Sequence, residues 1–360
     1  MKAPGSALCT PLSRAFPGLH AIPRLPLITP TTPCEPLARL GRAWGVPSLW
    51  VKRDDQAGPL YGGNKVRKLE YLLGEARAAN SERVVTMGAW GSHHSLATTL
   101  YGRAQGFEVE AALFPQPPTS HVRANLAANL AAGLRPIPIR SPFLGPPWLL
   151  ARRFRRNTHV IAGGGSSPRG IVGYVNAAFE LSEQIRAGEM PMPGSIIVPL
   201  GTGGTVAGLE LGLRLAGLQT RVIAVRVIDS MVGNRRSVAR LANRCLAELR
   251  RYDPRVPHVR IERRQVSIDH GQFGRGYGHP TPAATDAAHL AADLEGLRLE
   301  TTYSAKACAA IAYRARHGAL PPGPVLFWNT FSSTEPPGYD PSGSNVRDIL
   351  PAALEKAYAP

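Results

Sequence analysis

Short apolar runs alternate with longer amphipathic stretches along most of the chain. Val84–Met87, Val109–Phe114, Ser195–Leu200, Arg221–Ile228 and Val325–Trp328 read as buried strands. Pro136–Ile139 and His159–Ile161 read as further extended segments. Between and after them, a 3.6-residue pattern predicts helices at His93–Arg103, His121–Ala132, Ile171–Ala187, Val206–Leu215, Pro282–Leu294 and Ala305–His317. Repeated strand–helix alternation predicts an α/β protein with mostly parallel sheets and right-handed crossovers. Gly163-Gly164-Gly165 is the strongest internal joint. It suggests a small domain, residues 67–163, inserted between two halves of a larger one, residues 1–66 and 164–360. Residues 1–25 read as a loose extension, because prolines at 4, 11, 17 and 23 interrupt any long helix.

Composition narrows the class. A chain of 360 residues with 44% hydrophobic and 19% charged residues can build a sizeable core. No run is apolar enough for a membrane span. The four cysteines stand singly, so neither a zinc module nor a disulfide framework is expected, and a reducing, cytoplasmic setting is the default. The net charge of +17 favours anionic partners. Much of the excess is arginine spread through an Ala-, Gly- and Pro-rich chain, and no nucleic-acid-binding motif accompanies it. Neither a nucleic-acid nor a membrane partner is expected, and no metal site is read.

Two segments carry chemistry. In Gly62-Gly63-Asn64-Lys65 the glycines permit a sharp turn, and Asn64 suits the N-cap of a following helix. Lys65 would then sit in the first turn, where the helix dipole disfavours its ammonium form, a useful trait in a Schiff-base lysine. Gly201-Thr202-Gly203-Gly204-Thr205 lies between a strand and a helix. Such a loop offers backbone N–H groups and hydroxyls to a phosphate. It matches neither the P-loop nor the dinucleotide fingerprint. A reactive lysine with a hydroxyl-rich phosphate cup points to pyridoxal 5'-phosphate.

From Pro23 to Ser332 the sequence resembles the D-cysteine desulfhydrase / 1-aminocyclopropane-1-carboxylate deaminase family. The most specific block is Val51–Leu73, VKRDDQAGPLYGGNKVRKLEYLL. The resemblance implies the tryptophan synthase β-like fold, with two open twisted sheets flanked by helices, and a homodimer. It makes Lys65 the Schiff-base lysine. Ser92-His93-His94 resembles the family's Ser-Asn-His, which puts Ser92 on the substrate and His93 beside the ring hydroxyl of the cofactor. Ser92 equally suits a helix cap, and His94 a bonded core histidine. The turn Gly276-Tyr277-Gly278-His279-Pro280 and the segment Thr301–Lys306 resemble two further motifs, which would bring Tyr277 and Tyr303 to the active site. Ser304 stands where the deaminase branch has Glu. Thr330 matches the desulfhydrase HTGG, although Phe331 and Ser332 replace its glycines. Together these imply a lyase acting on a small amino acid, with β-elimination to a 2-oxo acid and ammonia. Cyclopropane ring opening, β-replacement and a non-catalytic cofactor binder stay open.

Overall fold

The computed structural model describes residues 9–28, 31–117 and 119–339. Two sheets organise it. One has four parallel strands: β3 (Arg83–Ala89), β4 (Glu108–Phe114), β5 (Arg135–Pro138) and β6 (Thr158–Val160), in the order β5-β4-β3-β6. The other has six: β1 (Cys34–Pro36), β2 (Leu49–Lys52), β7 (Ser195–Leu200), β8 (Arg221–Arg226), β9 (Ser267–Asp269) and β10 (Val325–Trp328). Their order is β1-β2-β10-β7-β8-β9, and only the β1–β2 pair is antiparallel. The last strand therefore inserts between the second and the seventh, with Trp328 opposite Lys52.

Helices cover these sheets. Early in the chain come α1 (Pro11–Ala15), α2 (Ala38–Trp44) and α3 (Asn64–Ala78). Around the four-stranded sheet lie α4 (His93–Ala104), α5 (Ser120–Ala131) and α6 (Gly145–Arg152). The remainder are α7 (Pro168–Arg186), α8 (Gly204–Leu215), α9 (Arg235–Tyr252), α10 (Pro282–Glu295) and α11 (Ser304–Arg316). Among the described residues no helix is long and apolar enough to cross a membrane.

Residues 9–25 differ from the loose extension expected of residues 1–25, of which 1–8 lie outside the described residues. Pro11 and Pro17 stand in the first turns of α1 and a 3₁₀ turn, where a missing N–H costs nothing. Thr10 caps α1, and Leu12, Leu19 and Ile22 are buried in the main core. The Leu12 amide donates to Asn176 Oδ1 at 3.1 Å and the Gly18 amide to Asp253 Oδ2 at 2.9 Å, which ties the segment to α7 and to the end of α9.

A buried ionic cluster joins α3 to the six-stranded sheet. Asp54 accepts from Arg67 Nη2 at 2.7 Å, Tyr174 Oη at 2.8 Å and Trp328 Nε1 at 2.6 Å. Glu180 on α7 accepts from Lys52 Nζ at 2.6 Å and from Arg67 Nη1 at 2.9 Å. Burial alone would raise both carboxyls, but the Arg67 guanidinium outweighs it, holding Asp54 below its ordinary range and Glu180 at about 2. Removing one partner of such a cluster strands the others without water. Asp54→Ala should therefore cost about 3–5 kcal/mol in denaturant unfolding. Both carboxyls titrate lower in the folded chain than their ordinary values of 3.8 and 4.5. Their stabilisation is full above those values and is lost as pH falls through the folded ones, so the gap between wild type and Asp54→Ala should narrow in acid unfolding series.

Candidate active site

A cavity of about 900 Å³ opens at the carboxyl ends of strands from both sheets. Ligands favour this place in open α/β folds, where strand ends leave a crevice between diverging loops. Met87–Ala89 close β3, Pro199 lies near the end of β7, and Thr330 and Phe331 follow β10. Lys65 lines this cavity as the second residue of α3. Burial pulls its ammonium from 10.5 down to about 8, against the opposing pull of Glu300. The N-cap of α3 is Gly63 at φ 88°, not Asn64. A Cβ at Gly63 would stand 2.7 Å from the Thr330 carbonyl and 2.6 Å from that of Phe331, so the chain after β10 is pressed against this turn. Asn64 is thereby freed from capping, and its Nδ2 donates to Thr205 Oγ1 at 3.0 Å.

Gly201, Thr202, Gly203, Gly204 and Thr205 all line the cavity, with Gly204 opening α8. The first amides of a helix have no intrahelical acceptor and present a partial positive charge. Thr202 Oγ1 and Ser166 Oγ are 2.7 Å apart. Lys68, one turn beyond Lys65 on α3, places Nζ 3.0 Å from the Gly164 carbonyl. Burial first, then the Lys65 charge, drive its ammonium well below 10.5. A Cβ at Gly204 would stand 2.5 Å from Ser166 Oγ and 2.9 Å from Lys68 Nζ. Hydroxyls, amides and a buried amine thus converge on one small space, and a phosphate dianion fits it. Lys68 and Ser166 went unrecognised in the sequence. The spacing Lys65–Lys68, which puts both on one helix face, was the available signal for the first.

The other expected residues divide. Ser92 lines the cavity and also caps α4, its Oγ accepting from the Ser95 amide at 3.2 Å. His94 is a buried cavity wall bonded to Thr86 Oγ1 at 2.9 Å. Tyr277 and Tyr303 meet there, Tyr303 Oη donating to Tyr277 Oη at 2.8 Å. Burial raises both phenols, so both stay protonated at neutral pH. Thr330 lines the cavity. Ser304 does not: it is fully buried, and its Oγ accepts from the Glu300 amide at 2.9 Å. Its expected place on the cofactor is withdrawn, because the start of α11 turns the hydroxyl back onto its own loop. Glu300 is the wall residue instead, its carboxylate accepting from the amides of Thr302, Tyr303 and Ser304 at 2.7–2.8 Å.

His93 lines the cavity inside a cluster no local pattern announced. Its Nε2 is 3.0 Å from His121 Nε2, and its Nδ1 bonds Tyr61 Oη. Asn125 Nδ2, which can only donate, lies 3.3 Å from both His93 Nδ1 and His121 Nε2. The set is satisfied when Tyr61 donates to His93 Nδ1 and His93 Nε2–H donates to His121. In that arrangement both ring nitrogens of His93 serve protein groups, whereas the sequence suggested a donor facing the cofactor. Burial pushes both imidazoles below 6.5, aided at His93 by His121 and Lys65 and opposed at His121 by Glu300, so both are neutral at pH 7.

A protein-family model described as "Pyridoxal-phosphate dependent enzyme" matches residues 26–330. Nocardicin C-9' epimerase of Nocardia uniformis subsp. tsuyamanensis is 35% identical over 333 residues, covering 88% of this chain and 95% of that protein. A D-cysteine desulfhydrase of Serratia proteamaculans is 30% identical over 324 residues, covering 87% and 94%. A solved structure described as an ACC deaminase homologue superposes with a TM-score of 0.75 at 27% identity, covering 93% of this chain and 98% of that one.

Two outcomes follow from the geometry. Lys68→Met should weaken binding of pyridoxal phosphate by about 1.5–3 kcal/mol, the worth of a charged hydrogen bond, as measured by cofactor titration. Only a neutral amine attacks a carbonyl, so aldehyde modification of cofactor-free protein at Lys65 should rise through pH about 8. Peptide mapping after borohydride reduction should find the adduct on Lys65.

Proposed function

The chain belongs to the pyridoxal-phosphate dependent enzymes, and from that premise we propose that it is an amino-acid lyase catalysing β-elimination to a 2-oxo acid and ammonia. The observation that supports this reading is a lysine whose ammonium burial holds near 8, lining the same cavity as the glycine and threonine loop Gly201–Thr205. When bound, the cofactor supplies an electron sink for negative charge at the substrate Cα. Gly201–Thr205 and Lys68 would hold its phosphate. Lys65, as the neutral amine, takes the Cα proton. Tyr303 donates its hydroxyl proton to Tyr277, which leaves the Tyr277 proton free for a group departing from Cβ. Ser92, also on the wall, is placed to bind the substrate carboxylate. The Cα–H and Cβ–X bonds break, X leaves as X–H, and water then divides the remainder into 2-oxo acid and ammonia.

A second reading shares the first step. If the proton returns to the opposite face of Cα and nothing leaves Cβ, the product is the epimer. The name of the Nocardia relative, an epimerase similar over almost its whole length, favours this reading. Cyclopropane ring opening is disfavoured under both, since 1-aminocyclopropane-1-carboxylate has no Cα hydrogen for Lys65 to remove.

One experiment separates them. D- and L-β-chloroalanine, D- and L-cysteine and the cyclopropane acid are incubated with cofactor-loaded protein in deuterium oxide. Elimination should release 2-oxo acid from a β-substituted alanine faster than from the cyclopropane acid. Solvent deuterium at Cα with inversion and no 2-oxo acid assigns the epimerase reading instead. Faster turnover of the cyclopropane acid overturns both. Lys65→Ala should lower whichever reaction is found by roughly 10²–10⁴-fold, the usual worth of a positioned general base.

A further inference from the structure

The inner and outer parts of the cavity differ in chemistry. Inside lie Lys65, Lys68, Thr202 and Thr205, which serve a phosphate and an amino-acid head group. Toward solvent the wall includes Phe143, Met231 and Val232, which are 74%, 74% and 44% exposed. A folded chain seldom leaves such side chains clustered in water unless something covers them.

These side chains stand on two braced loops, one from each sheet. Phe143 follows β5 of the four-stranded sheet, in a 3₁₀ turn that Ser141 caps at 3.3 Å and Pro142 stiffens. The turn is seated on the cavity wall itself: a Cβ at Gly145 would lie 2.1 Å from Met87 Cε. Met231 and Val232 follow β8 of the six-stranded sheet. Asp229 holds their loop, its Oδ1 accepting from the Met231 amide at 2.8 Å and its carbonyl from the Val232 amide at 3.0 Å. The apolar rim is therefore held in place by its own backbone. The cavity volume of about 900 Å³ is near the top of the range that encloses whole drug-sized ligands, roughly 300–1,000 Å³.

We infer that the substrate is an amino acid with a bulky apolar side chain, aromatic or of similar size, which lies against Phe143, Met231 and Val232. The inference rests on the reading of this cavity as an amino-acid site, and it deepens that reading by naming the side chain it selects. It is independent of which bond breaks later.

The test measures binding, with amino acids that lack a leaving group. Alanine, 2-aminobutyrate, phenylglycine and phenylalanine, each in both configurations, are titrated into cofactor-loaded protein. The change in visible absorbance of the bound cofactor gives Kd. One extra methylene in an apolar pocket discriminates by about 10–200-fold, so an aromatic side chain should bind at least ~10-fold more tightly than alanine in one configuration. The double variant Phe143→Ser/Met231→Ser should bring that ratio toward one. Both positions are largely exposed, and an unchanged absorbance spectrum and thermal midpoint certify that the variant is folded. Alanine binding as tightly as the aromatic amino acids overturns the inference, and so does a ratio the double variant leaves unchanged. No response to any amino acid overturns both this inference and the lyase reading. Tight aromatic binding without 2-oxo acid release from a β-substituted alanine that also carries an aromatic group, such as 3-phenylserine, sinks the lyase reading alone.

Discussion

The position of Lys65 depends on charges it never touches. Arg67 is two residues beyond Lys65 on α3, and its guanidinium is shared between Asp54 and Glu180 with no water to substitute for either. A guanidinium in that setting tolerates little displacement, because each bond lost leaves a buried charge short of a partner. The helix is thus fixed in rotation and in height against β2, β10 and α7. Its remaining faces follow from that. Val66, Leu69 and Leu73 pack into an apolar core shared with α4, while Lys65 and Lys68 turn toward the cavity. Three environments meet on one helix, and the ionic one sets the register of the other two.

The same principle explains why Lys65, partly buried, and Lys68, buried, can have opposite duties from that of Lys52. Lys52 is also fully buried, but it is bonded to Glu180, Gln184 and the Thr32 carbonyl. Among the described residues no carboxylate is bonded to Lys65 or Lys68, and their ammonium forms are correspondingly disfavoured. Burial without a counter-charge keeps one amine ready as a base, and leaves the other able to gain from an incoming anion.

Much of the site was legible because it sits in short contiguous runs. Gly62–Lys65 and Gly201–Thr205 each carry turn, helix start and chemistry within five residues, and strand periodicity placed most of both sheets. Features built from distant segments were not legible. The His93–Asn125–His121 cluster draws on two helices, and nothing within either helix specifies the contact. Ser304 was misjudged for a related reason: its hydroxyl has a local partner at Glu300, and the local bond wins over the cavity. Asn64 went the other way, yielding the cap position to Gly63 because only a residue tolerant of positive φ can pass beneath the loop that follows β10. Helix α9 escaped notice although Val238, Ala242, Cys245 and Leu249 form an apolar stripe, because the arginines between them masked it. The N-terminal segment was misread because prolines that cannot continue a helix are well suited to beginning one.

The placement of β10 has a consequence for how the chain comes to be folded at all. Every strand of the four-stranded sheet lies between Arg83 and Val160, so that sheet can pair as soon as those residues are available. The six-stranded sheet has a gap between β2 and β7 that only Val325–Trp328 fills. Until they arrive, Asp54 lacks its bond from Trp328, and the turn at Gly63 lacks the backbone of Thr330 and Phe331 against which it rests. During synthesis, contacts at this sequence separation close late and slowly. A ribosome-bound chain can thus hold one finished sheet and an unfinished other. Lys65 acquires its final setting only when residues through Phe331 have emerged, so a chain that stops short of them lacks the assembled turn that carries it.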